Sequence, residues 1–444
     1  MPTSLSDVAL RHELIDQLAN ARHRTDDLFA IVNPDSLYER PIPERHRIIF
    51  YIGHLEAFDW NLFHDRVFGL KSFHPEFDRL FAFGIDPVGG GLPTDQPSEW
   101  PSIGAVHEYV GKIRSLLDQK LPDALSDPDF SGRDGFPLGT LLNVAIEHRL
   151  MHAETLAYML HQLPFNRKIQ QIEAPGPVTP PVDHRSIEIP AGQVTLGLSR
   201  DGNSFGWDNE YEAHIVDVPA FSIDRYKVTN RQYLDFISAG GYENENFWST
   251  EDWSWISNRG ISHPAFWKRN GDDWLYRTMF NDVPLPLEWP VYVSQAEAKA
   301  YAKWAGKSLP TEAEWQRAAY STPNGNERRY PWGQEAPAPQ FGNFDFQRWS
   351  PMPVNTYPAA ESAFGVQGMV GNGWEWTSTE FAPFPGFKPF PFYLGYSADF
   401  FDGKHFVMKG GSARTAACML RRTFRNWFQA HYQFIYTGFR CVSR

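Results

Sequence analysis

Two histidines four residues apart, His148 and His152, are the residues whose types and spacing most directly suggest chemistry. On one helix that spacing stacks two imidazoles on a single face, about one turn apart. It is the spacing by which a helix offers two nitrogen ligands to one metal ion. Helical bundles build such sites from facing helices, so a third ligand is expected from the inner face of another helix. His54 suits that role, lying within the stripe Ile52, Leu55, Phe58 of the phrase YIGHLEAFDWNLF. His64 and Asp59 are alternatives, and Asp59 would make a two-histidine, one-carboxylate triad. Glu154 lies about 200° round the helix from His152 and is expected to orient a neighbour rather than bind the same ion. Taken alone, a chance His-x-x-x-His and a packed core histidine are the plain readings of these residues.

The elements that must position the three read as helices over residues 1–165. Segment 6–32 carries Val8, Leu14, Ile15, Leu18, Leu28 and Ile31 near helical spacing and ends at Pro34. Segment 44–69 follows Pro43, with Ile48, Ile52, Leu55, Phe58 and Leu62 in one stripe. Segment 102–121 opens at Ser102, an N-cap type, and segment 137–162 stops before Pro164. Four such segments predict a four-helix bundle. The Gly- and Pro-rich stretch 71–101 is too long for a tight turn and is a candidate functional loop. Residues 166–186 lose the periodicity and read as a linker, with prolines and glycine replacing the apolar pattern. From residue 187 the texture changes to short β-like pieces, glycines and tryptophans. One clear helix is expected there at Ser294–Ala305 and a second at Thr311–Ala319, opened by a Thr311–Glu314 capping box.

Composition narrows the function classes. The chain has 444 residues, 42% hydrophobic and 21% charged, as a globular protein of two or three domains does. A formal charge of −12 argues against a general grip on nucleic acid, which needs a basic face. Cys418 and Cys441 are the only cysteines, which excludes a disulfide framework and a four-cysteine zinc site. There is no apolar run of 18 residues and no signal-peptide core in the first 30, so no membrane association and a cytoplasmic location are expected. Aromatic residues make up 15%, which suggests a loop-rich second half packed by rings.

Specific phrases of the second half carry a resemblance: IEIPAGQVTLG (187–197), YKVTNRQYLDF (226–236), WPVYVSQAEAKAYAKWAGKSLPTEAEWQRAA (289–319), YPWG (330–333), GMVGNGWEWTSTEF (368–381), MKGGSA (408–413) and TGFRCV (437–442). Together they resemble the formylglycine-generating-enzyme-like, C-type-lectin-like fold. GHLEAFDWNL (53–62) and HRLMHAETL (148–156) resemble a DinB-like four-helix bundle. In this order the pair resembles the ergothioneine-biosynthesis sulfoxide synthases, relatives of the ovothiol and selenoneine synthases. The resemblance implies an α+β chain: a DinB-like bundle over 1–165, a linker over 166–186, and a formylglycine-generating-enzyme-like domain over 187–444. It implies a mononuclear non-haem iron(II) enzyme, with O2 as co-substrate, that joins hercynine to a small thiol. By the same resemblance His54, His148 and His152 hold the iron, and the second domain covers the open face of the metal.

Cysteines follow the GGS phrase at its third and eighth positions in the formylglycine-generating enzymes proper. Here those positions are Thr415 and Leu420, with Cys418 out of register, so copper–thiolate chemistry is not expected. A structural calcium ion is a further cofactor that such domains sometimes carry, although no segment here has the spacing of a calcium loop.

The departures from the family pattern fall on substrate contacts. Asn426 and Trp427 match residues lining the hercynine pocket, where a Trp face suits a trimethylammonium group. The acidic residue that follows them in the actinobacterial type is Phe428, and the glutamine before the last histidine is Met151. The loop 81–100 lacks the arginine pair that meets a glutamyl-cysteine partner. A dipeptide with two carboxylates needs cationic partners. A smaller thiol such as cysteine is therefore expected, with a selenosugar donor, as in selenoneine synthase, the alternative. Lys388, Lys404, Arg414, Arg421 and Arg422 are candidate replacement cations. Tyr393 or Tyr396 is expected to be the proton-donating tyrosine of the family. Outside the family, a DinB-type thiol transferase using zinc or nickel without O2, and a non-catalytic binding module, are the rival readings.

Overall fold

A computed structural model of the chain describes residues 5–82, 93–126, 136–200 and 204–444. It forms two compact units, Met1–Gln171 and Ile172–Arg444. The first is helical. Its long elements are α1 (Leu5–Ala30), α2 (Ile48–Phe63), α4 (Ile103–Ser126) and α5 (Leu138–Gln162), with the short α3 (Pro75–Leu80) after α2. Ser102 caps α4 as expected, its Oγ accepting the Ala105 N–H at 3.3 Å. Leu28, Leu55, Ile113, Leu117, Leu142 and Leu156 are buried and form the apolar interior.

α2 departs from expectation in length and in face. It is shorter than 44–69, because after Phe63 the chain turns and Gly69 takes a left-handed φ of 63°. It is also buried on nearly every side, Phe58 and Asn61 excepted, rather than along one stripe. A helix apolar all round is a central helix, which is what places His54 in the interior. Half of the loop 81–100, residues 83–92, lies outside the described residues.

Residues 167–169 are tied back to the first unit. Asn33 N–H donates to the Arg167 carbonyl at 3.0 Å and Ile169 N–H to that of Ile31 at 2.7 Å. The Lys168 ammonium closes the end of α5 on the Leu160 and His161 carbonyls. Further on, the Glu173 carboxylate accepts the Trp349 and Ser350 N–H groups at 2.9 and 3.2 Å.

Among its described residues the second unit carries four small sheets. β1 (Ser186–Ile189), β4 (Phe221–Asp224) and β12 (Val442–Ser443) form one, in the order β1-β4-β12. β2 (Gly192–Leu196) pairs with β3 (His214–Val218). β5 (Trp267–Asn270), β6 (Asp273–Arg277) and β7 (Asp282–Pro284) form a meander. The fourth has the order β10-β9-β8-β11, from β8 (Trp374–Glu380), β9 (His405–Lys409), β10 (Asn426–Gln429) and β11 (Thr437–Gly438). Only its β8–β11 pair is parallel.

The two expected helices are present as α8 (Gln295–Trp304) and α9 (Glu312–Tyr320), capped by Ser294 and Thr311 with boxes to Glu297 and Glu314. Trp315, Ala318 and Ala319 of α9 pack on Ile189, Val194, Val218, Phe221 and Ile223 of β1–β4, building one core. Two helices were not anticipated: α6 (Asn230–Ser238) and α7 (Thr250–Arg259). Both are under three turns long and rich in Tyr, Trp, Asn and Ser, which favour helices weakly. Their signals are the caps, Thr229 with Gln232 and Ser249 with Asp252.

The phrases that carried the resemblance build this frame. Glu375 of GNGWEW and Arg440 of TGFRCV form a fully buried pair at 2.6 and 2.8 Å. Lys227 of YKVTN joins Glu375 at 3.0 Å, and the Trp315 indole N–H donates to it at 3.0 Å. Lys409 of MKGG binds the Arg422 and Phe424 carbonyls at 2.9 and 2.8 Å.

Candidate metal centre

His54 is oriented from outside its own helix. Its Nδ1 lies 2.6 Å from the carbonyl oxygen of Phe81, just beyond α3. A carbonyl only accepts, so Nδ1 carries the proton and Nε2 presents its lone pair. Gly53 makes this approach feasible: a Cβ there would come within 2.5 Å of the Phe81 ring. The Phe50 ring stacks beside His54 at 4.9 Å and 19°. On α5, Phe58 of α2 lies flat against His148 at 3.4 Å and 10°.

The freed Nε2 of His54 meets Nε2 of His152 at 3.2 Å. One nitrogen from each of His54, His148 and His152 lies within 4.8 Å of the others, and all three residues are buried. Two ligands at right angles on an ion about 2.1 Å away would lie about 3.0 Å apart, close to the separation seen. Burial keeps all three imidazoles neutral at pH 7. It lowers His54 to about 4, against the Phe81 hydrogen bond, which pulls the other way. His148 and His152 fall well below their ordinary value, through burial first and then the neighbouring imidazoles and Arg149. The buried Nδ1 of His152 has no hydrogen-bond partner among the described residues. Three neutral, convergent nitrogen donors fit a first-row divalent metal such as iron, and they leave its remaining positions to other ligands.

The alternative third ligands are engaged elsewhere. Asp59 accepts from Arg149 Nη2 at 2.7 Å. His64 Nδ1 donates to the Leu70 carbonyl at 2.9 Å, and its ring stacks on Trp60. Among the described residues no carboxylate joins the trio, and no other group of three or more His, Cys, Asp or Glu converges where calcium could bind. Glu154 is buried outside the trio. Met151, half-buried, precedes His152 on α5.

The second unit brings three of the remaining candidates together. Tyr396 stacks on Trp207 at 4.0 Å and meets Trp427 edge-on at 5.4 Å. Tyr393 lies 5.4 Å from Tyr396, and Trp427 stacks flat on Phe381 at 4.1 Å and 6°. Trp207 and Phe381, central to this cluster, were not singled out from the sequence. Burial, with Asp208 nearby, pushes the Tyr393 hydroxyl up to about 12, so at neutral pH it keeps its proton. Asn426 accepts the Trp427 N–H at 2.9 Å. Phe428 follows Trp427 on β10, so it points to the opposite face of the strand, where it stacks on Tyr432.

The candidate replacement cations are largely committed. Arg421 holds Glu210 through two bonds of 2.8 and 2.5 Å, and Arg422 is paired with Glu327. Arg414 is buried with its guanidinium 3.8 Å over the Trp349 ring. Lys388 and Lys404 are exposed. Thr415 and Leu420 are buried, and Thr415 Oγ1 accepts the Ser412 N–H, while Cys418 is exposed. No described helix is long and apolar enough to cross a membrane.

Comparison with known proteins assigns both units. Residues 17–156 match the DinB superfamily and residues 174–444 the sulfatase-modifying factor enzyme 1-like domain. The chain is 34% identical to a hercynine oxygenase of Mycolicibacterium smegmatis, over 97% of this chain and 98% of that one. It is 39% identical to the hercynine oxygenase of Mycolicibacterium thermoresistibile, over 98% and 96% of the two chains. Ergothioneine biosynthesis protein 1 of Neurospora crassa is 27% identical, over 92% of this chain and 55% of its own length. With a DinB bundle followed by a sulfatase-modifying-factor-like domain, and near-complete alignment to two hercynine oxygenases, this chain belongs to the hercynine oxygenase family of ergothioneine biosynthesis.

Proposed function

We propose that His54, His148 and His152 hold one ferrous ion and that the chain uses O2 to join hercynine to a small thiol as a sulfoxide. The convergence of three buried, neutral imidazole nitrogens within 4.8 Å carries this reading. The overall change balances: an imidazole C–H and an S–H are replaced by a C–S bond and an S=O bond, and O2 takes four electrons, leaving one water. Bound iron would supply the one-electron chemistry that O2 requires and a coordination sphere for the reactants. The chain's own residues orient and desolvate. Phe50, Phe58 and the Phe81 carbonyl fix the imidazole planes, and burial keeps their nitrogens unprotonated at neutral pH.

Asn426 and Trp427 are assigned to hercynine, whose trimethylammonium group suits the Trp face. Phe428 and Met151 are assigned to the partner side, where neither offers a charge to a glutamyl carboxylate. Cysteine should therefore exceed γ-glutamylcysteine in kcat/KM by at least about tenfold, since each charge-assisted hydrogen bond contributes about 1.5–3 kcal/mol. Steady-state oxygen uptake and product mass spectrometry with each thiol measure this. A preference for the dipeptide would remove the assignment of Phe428 and Met151.

Tyr393 is the less buried of the two candidate tyrosines, and its hydroxyl stays protonated. It is assigned the proton-donating role. Tyr393→Phe should keep consuming O2 but divert it to thiol oxidation, whereas Tyr396→Phe, which keeps the ring stacked on Trp207, should leave the product ratio unchanged. An unchanged product ratio in Tyr393→Phe would contradict this. Gly53→Ala should displace Phe81 and weaken ferrous binding about tenfold or more, the range typical when a ligand loses its orienting partner. An anaerobic competition titration reads it, and wild-type affinity would show that the Phe81 carbonyl does not set His54.

A further inference from the structure

His148 and His152 share a helix, so their mutual spacing is local. The position of His54 depends instead on how α2 lies against α5. Arg149, next to His148, reaches across that junction and is fully buried. Its Nη2 donates to the Leu55 carbonyl at 3.0 Å and to Asp59 at 2.7 Å, and its Nη1 lies 3.0 Å from Glu56. Leu55 adjoins His54, so one guanidinium grips the turn of α2 that carries a ligand from the turn of α5 that carries another. Arg114 of α4 holds Glu56 at 2.8 Å and Asp26 of α1 at 2.7 Å, which ties all four long helices into the same network.

Such a network is weak evidence for stability. Apolar residues of equal volume often serve as well or better, and fixing register is the best-attested use of buried charge. We propose that Arg149 is a positioning residue of the metal centre, holding α2 in the register at which His54 meets His148 and His152. The inference rests on the reading that the trio holds a metal ion. The planar fork matters as well as the charge: a lysine places its ammonium at one point and cannot span a carbonyl and two carboxylates at fixed angles. A cavity of about 210 Å³, lined by Asp26, Phe29, Leu55, Glu56, Arg114 and Arg149, adjoins the network. It has room for several waters, which can solvate Glu56 when Arg149 is shortened. Variants at position 149 are therefore expected to fold.

The test uses the full chain with cobalt(II) as the probe, comparing wild type, Arg149→Met and Arg149→Lys. Dissociation constants come from competition titration, ligand geometry from the d–d absorption bands, and folding from circular dichroism and Tm. Arg149→Met should bind cobalt about 10–100-fold more weakly with altered d–d bands, the range seen when a ligand's orienting partner is removed. Arg149→Lys should recover part of the affinity. Wild-type affinity and bands in the variants, whatever their Tm, would overturn the proposal while leaving the metal reading intact. If Arg149→Met does not fold, Arg149→Lys decides by the same criteria. Failure of the wild-type chain to bind cobalt or iron would overturn the metal reading, and this one with it.

Discussion

Replacing His148 by Ala is expected to abolish stoichiometric iron binding and sulfoxide formation in a protein that still folds. The ring lies flat against Phe58 at 3.4 Å, and its donor nitrogen is within 4.8 Å of those of His54 and His152. Removing it leaves two nitrogens from two helices to hold the ion. Structural metal sites contribute about 10–16 kcal/mol over four ligands, so one ligand is worth about 3 kcal/mol, or a 100- to 1,000-fold weaker complex. The cavity costs the fold about 2 kcal/mol, a tolerable fraction of a domain's stability. A second readout follows from linkage: iron should raise the Tm of the wild-type chain and leave that of His148→Ala unmoved. Elemental analysis after anaerobic loading decides, and one retained equivalent of iron in His148→Ala would contradict the assignment.

The largest effect on stability is expected from Glu375→Gln in the second unit. Glu375 and Arg440 are both fully buried, and Lys227 and the Trp315 indole bind the same carboxylate. Removing its charge leaves two buried cations without their counter-charge, a change that costs about 3–5 kcal/mol. Burial by itself raises the Glu375 pKa, but Arg440 and Lys227 outweigh it and hold the group below its ordinary 4.5. A lowered folded-state pKa contributes stability that is fully present above 4.5 and lost as pH falls through the folded value. Glu375→Gln should therefore unfold at markedly lower urea at pH 7 and lose part of the wild-type acid sensitivity. A loss under about 1 kcal/mol would show that the pair is replaceable, as some buried ion pairs are.

What the sequence reveals about the site follows from which interactions are local. The His148–His152 spacing and the capping boxes at Ser294 and Thr311 operate within a turn or two, and the structure has each of them in place. The third donor is a tertiary question. His54, His64 and Asp59 lie on or beside the same helix, and what separates them is distant in sequence. Phe81 orients His54, Arg149 takes Asp59, and the Leu70 carbonyl takes His64. Pattern alone also misjudged the environment of α2, because a helix buried on nearly all sides can carry the same stripe as a half-buried one. Arg421 and Arg422 read as available cations only until Glu210 and Glu327, far away in the chain, come beside them. The phrases most telling for kinship, such as GNGWEW and TGFRCV, supply the buried Glu375–Arg440 pair of the frame. The helices α6 and α7 show the converse: their caps were legible, but each is short and built largely from residues that favour helices weakly.

The proposed chemistry stands on a ferrous ion held by three imidazoles and put to oxidative use. Anaerobic titration of the full chain with iron(II), followed by hercynine, cysteine and O2, tests this most directly. The prediction is one equivalent of iron per chain and a product whose mass equals hercynine plus cysteine plus O2 less one water. Stoichiometric iron with no carbon–sulfur product from cysteine or γ-glutamylcysteine, and no carbon–selenium product from a selenosugar, would contradict it, as would turnover that proceeds with zinc in the absence of O2.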